Sequence, residues 1–233
     1  MLELFPQGFE EVDAADGVEL IAYTDAGGEE RLWQAFGGAR TSEVGEDWEQ
    51  RWRDFHRPAR VGPLWLGPPW LDPPPDSTPV VIQPGRAFGT GSHATTRLCL
   101  ELLLELERGS LLDIGCGSGV LAVAGAQLGF GPVIALDSDR PAVDAARFNA
   151  KANDIEIEVR HADALTEPLP AADVAVANVT LQVVEALAPR LDAPVFVASG
   201  FLSWERPVLS GYGPLRHAES EGWAAEVFSR ETE

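Results

Sequence analysis

From about residue 95 onward, apolar positions follow two alternating patterns. The stretch TTRLCLELLLELERG (95–109) places Leu98, Leu102 and Leu106 on one face at helical spacing, and Gly109 stops it. SLLDI (110–114) is a short apolar run that predicts a buried strand. GCGSG (115–119) follows, and then VLAVAGAQLG, a uniformly apolar helix. PVIALD (132–137) predicts the next strand. SDRPAVDAARFNAKAN predicts a helix, with Ser138 or Asp139 as its cap and Pro141 near its first turn. IEIEVR (155–160), ADVAVAN (172–178) and APVFVASG (193–200) predict three more strands. TLQVVEALAPRL predicts a helix up to Pro189, and WAAEVFSR (223–230) a final strand. Near-continuous apolar strands alternating with helices predict an α/β fold, a doubly wound parallel sheet covered on both faces.

The first part of the chain reads differently. VELIAYT (18–24) alternates like a half-buried strand, EERLWQAF (29–36) has helical spacing, and Gly37-Gly38 ends it. DWEQRWRDF (47–55) sets Trp48, Trp52 and Phe55 on one helix face, and VGPLWLG (61–67) predicts a short strand. PPWLDPPPDSTP (68–79) then holds six prolines in twelve positions, a stiff, extended stretch that a sheet interior excludes. The expected organisation is a small α+β module over 1–67, a proline-rich linker over 68–79, and an α/β domain over 80–233.

Composition narrows the function. The net charge is −20, and Lys151 is the single lysine. A protein that grips nucleic acid presents a basic surface, so nucleic acid is disfavoured and a basic protein partner is favoured. No apolar run reaches the ~20 residues of a membrane span. The start, MLELFPQGFEEVD, is acidic and lacks the basic and apolar regions of a signal peptide, so a cytoplasmic setting is expected. Cys99 and Cys116 sit in contexts that suggest reduced thiols, and the four histidines show no ligand spacing, so no structural metal is expected.

The chemistry gathers around LLDIGCGSGVLAVAGA, where Gly115, Gly117 and Gly119 join a buried strand to a helix. Glycines there let the backbone turn tightly and approach a ligand, and the helix N-terminus offers free N–H groups. The pattern is G-x-G-x-G with Val120 where a dinucleotide fold has its third glycine, and no P-loop signature is present. Carboxylates accompany the first three strands. Asp113 stands two positions before the first glycine, Asp137 ends the second strand and Asp163 follows the third. Asp137 is placed to accept two ribose hydroxyls, and Asp163 an adenine amine. Ordinary turns and caps explain the glycines but not three carboxylates at these points, so the set points to S-adenosylmethionine. The fourth strand ends at Asn178, in ANVTLQ, without the Pro-Pro-aromatic run of enzymes that stack a flipped base.

One further stretch, PGRAFGTGSHATTR (84–97), suits neither helix nor strand, because of its three glycines. Together with LLDIGCGSGVLAVAGAQLG, ALDSDRPAVDAARFNAKAN and ADVAVANVTLQVVEALAPRL, it resembles the ribosomal protein L11 methyltransferases, the PrmA family. The likeness covers roughly residues 45–200, and the F-G-T-G-x-H-x-T-T run is its most specific part. The resemblance implies a Rossmann-like class I methyltransferase fold; where the family has a complete ferredoxin-like substrate module, this chain departs, and a truncated, partly ferredoxin-like module is expected. It implies S-adenosylmethionine as cofactor and methylation of lysine side chains and the α-amine of one ribosomal protein. Cofactor contacts carried over are Thr96, Gly115, Asp137 and Asn178, beside Asp113, Gly117, Gly119 and Asp163 from the residue reading. Phe88, Thr90 and His93 are expected to shape the transfer zone with Asn178, and His93 is the candidate base. The alternatives are another protein or a small-molecule amine as acceptor, or a cofactor-binding regulator without catalysis.

Overall fold

In chain order the strands and helices are β1 (Glu10–Ala14), β2 (Gly17–Ile21), β3 (Ala59–Val61), β4 (Leu64–Gly67), β5 (Thr78–Val81), α1 (Ala94–Leu104), β6 (Leu111–Ile114), α2 (Val120–Gln127), β7 (Val133–Asp137), α3 (Arg140–Ala152), β8 (Glu158–His161), β9 (Val174–Asn178), α4 (Leu181–Leu187), β10 (Val195–Leu202), β11 (Tyr212–Ser220) and β12 (Trp223–Arg230). The structure is a computed structural model and describes residues 10–14, 17–21, 32–33, 35–36, 38, 57–84, 89 and 91–231. The chain divides into two units, 1–52 and 53–233. In the first, β1 and β2 pair antiparallel, and Leu32, Trp33, Ala35 and Phe36 are helical. The helix expected over 47–55 lies outside the described residues.

The second unit is built on a seven-stranded sheet of order β11-β12-β10-β9-β6-β7-β8. The five strands from β8 to β10 run parallel, whereas β12 and β11 close that edge antiparallel. The strand interiors are apolar because both faces are covered, and successive residues feed opposite cores. Val174 and Val176 of β9 join one core with Leu98 of α1, Leu121 of α2 and Val143 of α3. Ala175 and Ala177 join the other, with Val184 and Leu187 of α4, Phe196 and Phe228. Phe196, Phe201 and Phe228 are among the largest fully buried side chains. Each contributes about 1.5–3 kcal/mol of burial relative to an exposed position.

Three elements differ from the sequence pattern. β11 was not expected: most of its nine residues are exposed or half-buried, so the edge strand carries little apolar alternation. The strand expected over 155–160 forms only at Glu158–His161. β5 begins inside the proline-rich stretch and pairs parallel with β4. Pro79 is tolerated there because β5 is an edge strand of its three-stranded sheet. Val61, Leu64, Leu66, Val80 and Ile82 all belong to the core shared with α1 and α2. The division between units accordingly falls after Trp52, ahead of the proline-rich stretch.

Beneath the glycine loop, Asp113 of β6 is 1% exposed. Its Oδ2 accepts from the Ala122 N–H at 3.0 Å, tying β6 to the first turn of α2, while Oδ1 has no hydrogen-bond partner among the described residues. Burial pushes its carboxyl up to about 7, and the nearby Asp137 carboxylate adds to the rise. A carboxyl raised in the folded state stabilises the fold fully below its unfolded value of ~3.9, and that contribution is lost as pH rises through the folded value. Thermal melts between pH 5 and pH 8 are therefore expected to fall in midpoint as pH rises, and Asp113→Asn is expected to flatten that slope. An equally steep slope in Asp113→Asn would contradict the assignment.

Candidate active site

Thr96, Gly115, Gly117, Asp137, Asp163 and Asn178 line one cleft of about 600 Å³. The volume lies within the roughly 300–1,000 Å³ of small-molecule sites. The cleft opens at the C-terminal ends of the parallel strands, where an open α/β sheet binds its ligands. Gly115 follows β6, Asp137 ends β7, Asp163 follows β8 and Asn178 ends β9, so the strand order sets these residues side by side.

The glycine loop is held from the neighbouring strand. Asp137 Oδ2 accepts from the Gly117 N–H at 2.9 Å, and Oδ1 from the Asp139 N–H at 2.9 Å. A carboxylate has about four acceptor sites, so two remain for ligand hydroxyls. Gly115 has φ +71, and a Cβ there would lie 2.7 Å from Val179 Cγ1. Only glycine lets the loop pass under Val179 and still face the cleft. Gly119 is the N-cap of α2 and does not line the cleft. Asp163 turns onto its own chain: Oδ1 accepts from the Leu165 N–H and Oδ2 from the Thr166 hydroxyl, each at 2.9 Å. Cys116 lines the cleft, but burial pushes its thiol far above the ordinary range, so it stays neutral.

On the other wall, Asn178 Nδ2 donates to Thr95 Oγ1 at 3.0 Å and to Thr96 Oγ1 at 3.4 Å. Both threonines are buried in the first turn of α1. Thr95 Oγ1 lies 2.8 Å from His93 Nδ1, and that nitrogen also accepts from the Thr95 N–H as the N-cap of α1. With Nδ1 accepting, the Thr95 hydroxyl donates to it, which fixes the direction of the whole chain from Asn178 to His93. This leaves Asn178 Oδ1 as the acceptor presented by the side chain. Room for the Val179 backbone that follows Asn178 comes from Gly200, φ +101, at an irregularity in β10: a Cβ there would meet the Val179 carbonyl oxygen at 2.1 Å.

Besides Gly119, two sequence-derived candidates are not brought to the cleft. Asp113 is sealed beneath it, as described above, because its carboxylate points into the sheet–helix interface. His93 stands behind Thr95 instead of lining the cleft. Its ring packs edge-on against Trp223, 5.1 Å between centroids. Burial lowers its pKa, and the Arg97 cation adds to the fall, partly offset by Glu221. Its geometry is that of a group orienting Asn178 through Thr95, set back from the cleft. Phe88 and Thr90 lie outside the described residues.

The sequence reading missed four contributors. Thr95 was overshadowed by its neighbour Thr96. Trp223 belongs to a hairpin whose partner strand carried no pattern. Ser118 and Asn149 form a hydrogen-bonded set with Gly89, another cleft residue: the Ser118 hydroxyl donates to the Gly89 carbonyl, and Asn149 Nδ2 donates to the Ser118 carbonyl at 2.8 Å. A signal was present for Asn149: two asparagines at i, i+4 in FNAKAN, next to the alanines of a buried helix face, demand partners.

Comparison with known proteins points to one family. The family model described as ribosomal protein L11 methyltransferase (PrmA) matches residues 10–211. Among curated relatives, a ribosomal protein L11 methyltransferase from Symbiobacterium thermophilum is 39% identical over 199 residues, covering 80% of this chain and 62% of the relative. Another, from Pelobacter propionicus, is 40% identical over 210 residues, covering 79% of this chain and 67% of the relative. The chain thus spans about two thirds of their length. Among solved structures, a ribosomal protein L11 methylase from Lactobacillus delbrueckii subsp. bulgaricus superposes with a TM-score of 0.66 at 27% identity, covering 74% of this chain and 97% of that one.

The hydrogen-bond direction is open to measurement. Nitrogen-15 NMR of the imidazoles is expected to show His93 as the Nε2–H tautomer near neutral pH, titrating below 6.5. An Nδ1–H tautomer, or titration at or above that value, would contradict the chain from Asn178 to His93.

Proposed function

The chain belongs to the ribosomal protein L11 methyltransferase (PrmA) family, and from that premise we propose that it is an S-adenosylmethionine-dependent N-methyltransferase acting on amines of ribosomal protein L11, lysine side chains and the α-amine. The observation that carries the proposal is the meeting, in one cleft, of a glycine loop, the Asp137 carboxylate and an oriented Asn178.

The donor set fits the cofactor. Asp137 retains acceptor capacity for a pair of vicinal hydroxyls, Asp163 lies farther along the same wall, and the glycine loop presents backbone where a side chain would intrude. Apolar side chains, Leu136, Ala162 and Leu165 among them, line the wall suited to an adenine ring. When bound, S-adenosylmethionine supplies an activated methyl group on a sulfonium, so the protein has mainly to align the acceptor. Alignment of this kind contributes about 7–11 kcal/mol.

Asn178 is the residue assigned to that task. Its Oδ1 accepts a hydrogen bond from the incoming amine and holds the lone pair in line. Thr95 and Thr96 prevent the amide from turning over. The amine has to be neutral, and a lysine of pKa ~10.4 loses its proton more readily on entering an apolar site. The chain's net charge of −20 favours encounter with a basic protein acceptor. His93 serves Asn178 as an acceptor-side brace. Protonation of Nδ1 removes that brace, so its contribution is present above its lowered pKa and lost as pH falls below it.

Incubation with tritium-methyl S-adenosylmethionine and separated ribosomal proteins is expected to label the L11 band. Thr95→Val, which frees the Asn178 amide, is expected to lower turnover by roughly tenfold to a hundredfold at similar cofactor affinity. Label confined to small-molecule amines would redirect the acceptor assignment, and cofactor binding with no label in any acceptor would overturn catalysis.

A further inference from the structure

Helix α3 reaches the cleft through a polar seam that the catalytic reading does not use. Asn149 is 1% exposed on the buried face of α3. Its Nδ2 donates to the Ser118 carbonyl at 2.8 Å, and its Oδ1 accepts from the Gln83 N–H at 2.9 Å. One turn later, Asn153 Oδ1 accepts from the Val81 N–H at 2.7 Å, and its Nδ2 donates to the Val81 carbonyl at 2.7 Å. The two amides therefore continue the edge of β5 as a further strand would, satisfying alternate backbone groups. Ser118 completes the seam, its hydroxyl donating to the Gly89 carbonyl. The Gln83 backbone, the glycine loop and, through Ser118, the cleft residue Gly89 are thereby tied to one buried amide.

An asparagine in a helix interior is a poor helix former, and a buried amide costs free energy unless each end is paired. A helix that only had to pack on β7 and β8 would continue the alanine stripe of Ala142, Ala146 and Ala150. The polar exception sits directly behind the contact of the glycine loop with Gly89. We propose that Asn149, acting through Ser118, is a positioning residue for methyl transfer: it sets the distance between the glycine loop and Gly89, and so the width of the cleft in which donor and acceptor meet. The inference rests on the reading of this cleft as a methyltransferase site.

Two variants of the full chain test it, each measured by thermal melting, calorimetric titration with S-adenosylmethionine, and steady-state methyl transfer to L11. Ser118→Ala removes the hydroxyl that grips Gly89 and leaves α3 untouched. It is expected to melt like the wild type and to lose about tenfold to a hundredfold in kcat, with KM for the protein acceptor little changed. Asn149→Asp keeps the acceptor for Gln83 but, when ionised, sets an oxygen against the Ser118 carbonyl. Burial raises the pKa of such a carboxyl, and the protonated form donates as the amide does. Its cofactor affinity is expected to be weakened at pH 8 and to recover towards the wild-type value near pH 5. Folded variants with wild-type kcat and pH-independent affinity would overturn the proposal. If the wild-type protein transfers no methyl group, the functional reading has failed on its own, and calorimetry decides the inference: recovery of Asn149→Asp at low pH supports it, and unweakened binding at pH 8 overturns it.

Discussion

The site depends on one constraint. The chain must leave β6, turn through five residues and enter α2 while its backbone N–H groups stay paired: Gly115 and Cys116 donate to the Leu136 carbonyl and Gly119 to the Cys116 carbonyl. The Asp137 carboxylate, at the end of the adjacent strand, meets that requirement by accepting from Gly117. Because β7 pairs with β6 in parallel register, Leu136 opposite Ile114, the carboxylate arrives at the level of the loop without any further adjustment. The same parallel arrangement delivers Asn178 from β9 on the other side. The site is thus a consequence of strand order and register, and the side chains add chemistry to a position that the sheet has already set.

Around that centre, polar groups work in chains, not as isolated pairs. Asn178, Thr95 and His93 form one chain, with Trp223 against its far end. Asn149, Ser118 and Gly89 form another. Arg97 Nη1 donates to the Ser92 carbonyl at 2.6 Å, and Nη2 to Glu221 at 2.6 Å, which ties the start of α1 to the β11–β12 turn. The exposed end of that ion pair is worth little as stability. Its effect is geometric, since it holds the His93 cap beside Trp223. The C-terminal hairpin, remote in sequence from the glycine loop, becomes part of the support of the Asn178 wall of the cleft.

Much of this was legible in the sequence, for physical reasons. Strands buried on both faces must be continuously apolar, so β6, β7, β9 and β10 stand out. Glycines and carboxylates at strand ends mark a cleft before any fold is drawn, and Thr96, Gly115, Gly117, Asp137, Asp163 and Asn178, which line it among others, were singled out. What was not legible depends on tertiary pairing. β11 is an edge strand with a mostly exposed face, and β5 contains a proline that is allowed only because its N–H side needs no partner. Asp113 has the residue type of a ligand contact, but whether a strand side chain points at the cleft or into the helix interface is decided by the pleat. His93 reads as a base in a loop, yet the helix that begins at Ala94 turns it into a cap. The asparagine pair of α3 was readable in principle, because polar residues on an apolar face require partners, but the partners at Val81 and Gln83 lie more than sixty residues away.

The central claim, that strand register brings Asp137 and the glycine loop together to hold S-adenosylmethionine, is tested most directly by isothermal titration calorimetry of the full chain with that cofactor. The account predicts saturable binding at one site per chain in the wild type, and its loss in Asp137→Ala with the fold retained by circular dichroism. Absence of binding in the wild type, or wild-type affinity in a folded Asp137→Ala variant, would contradict it.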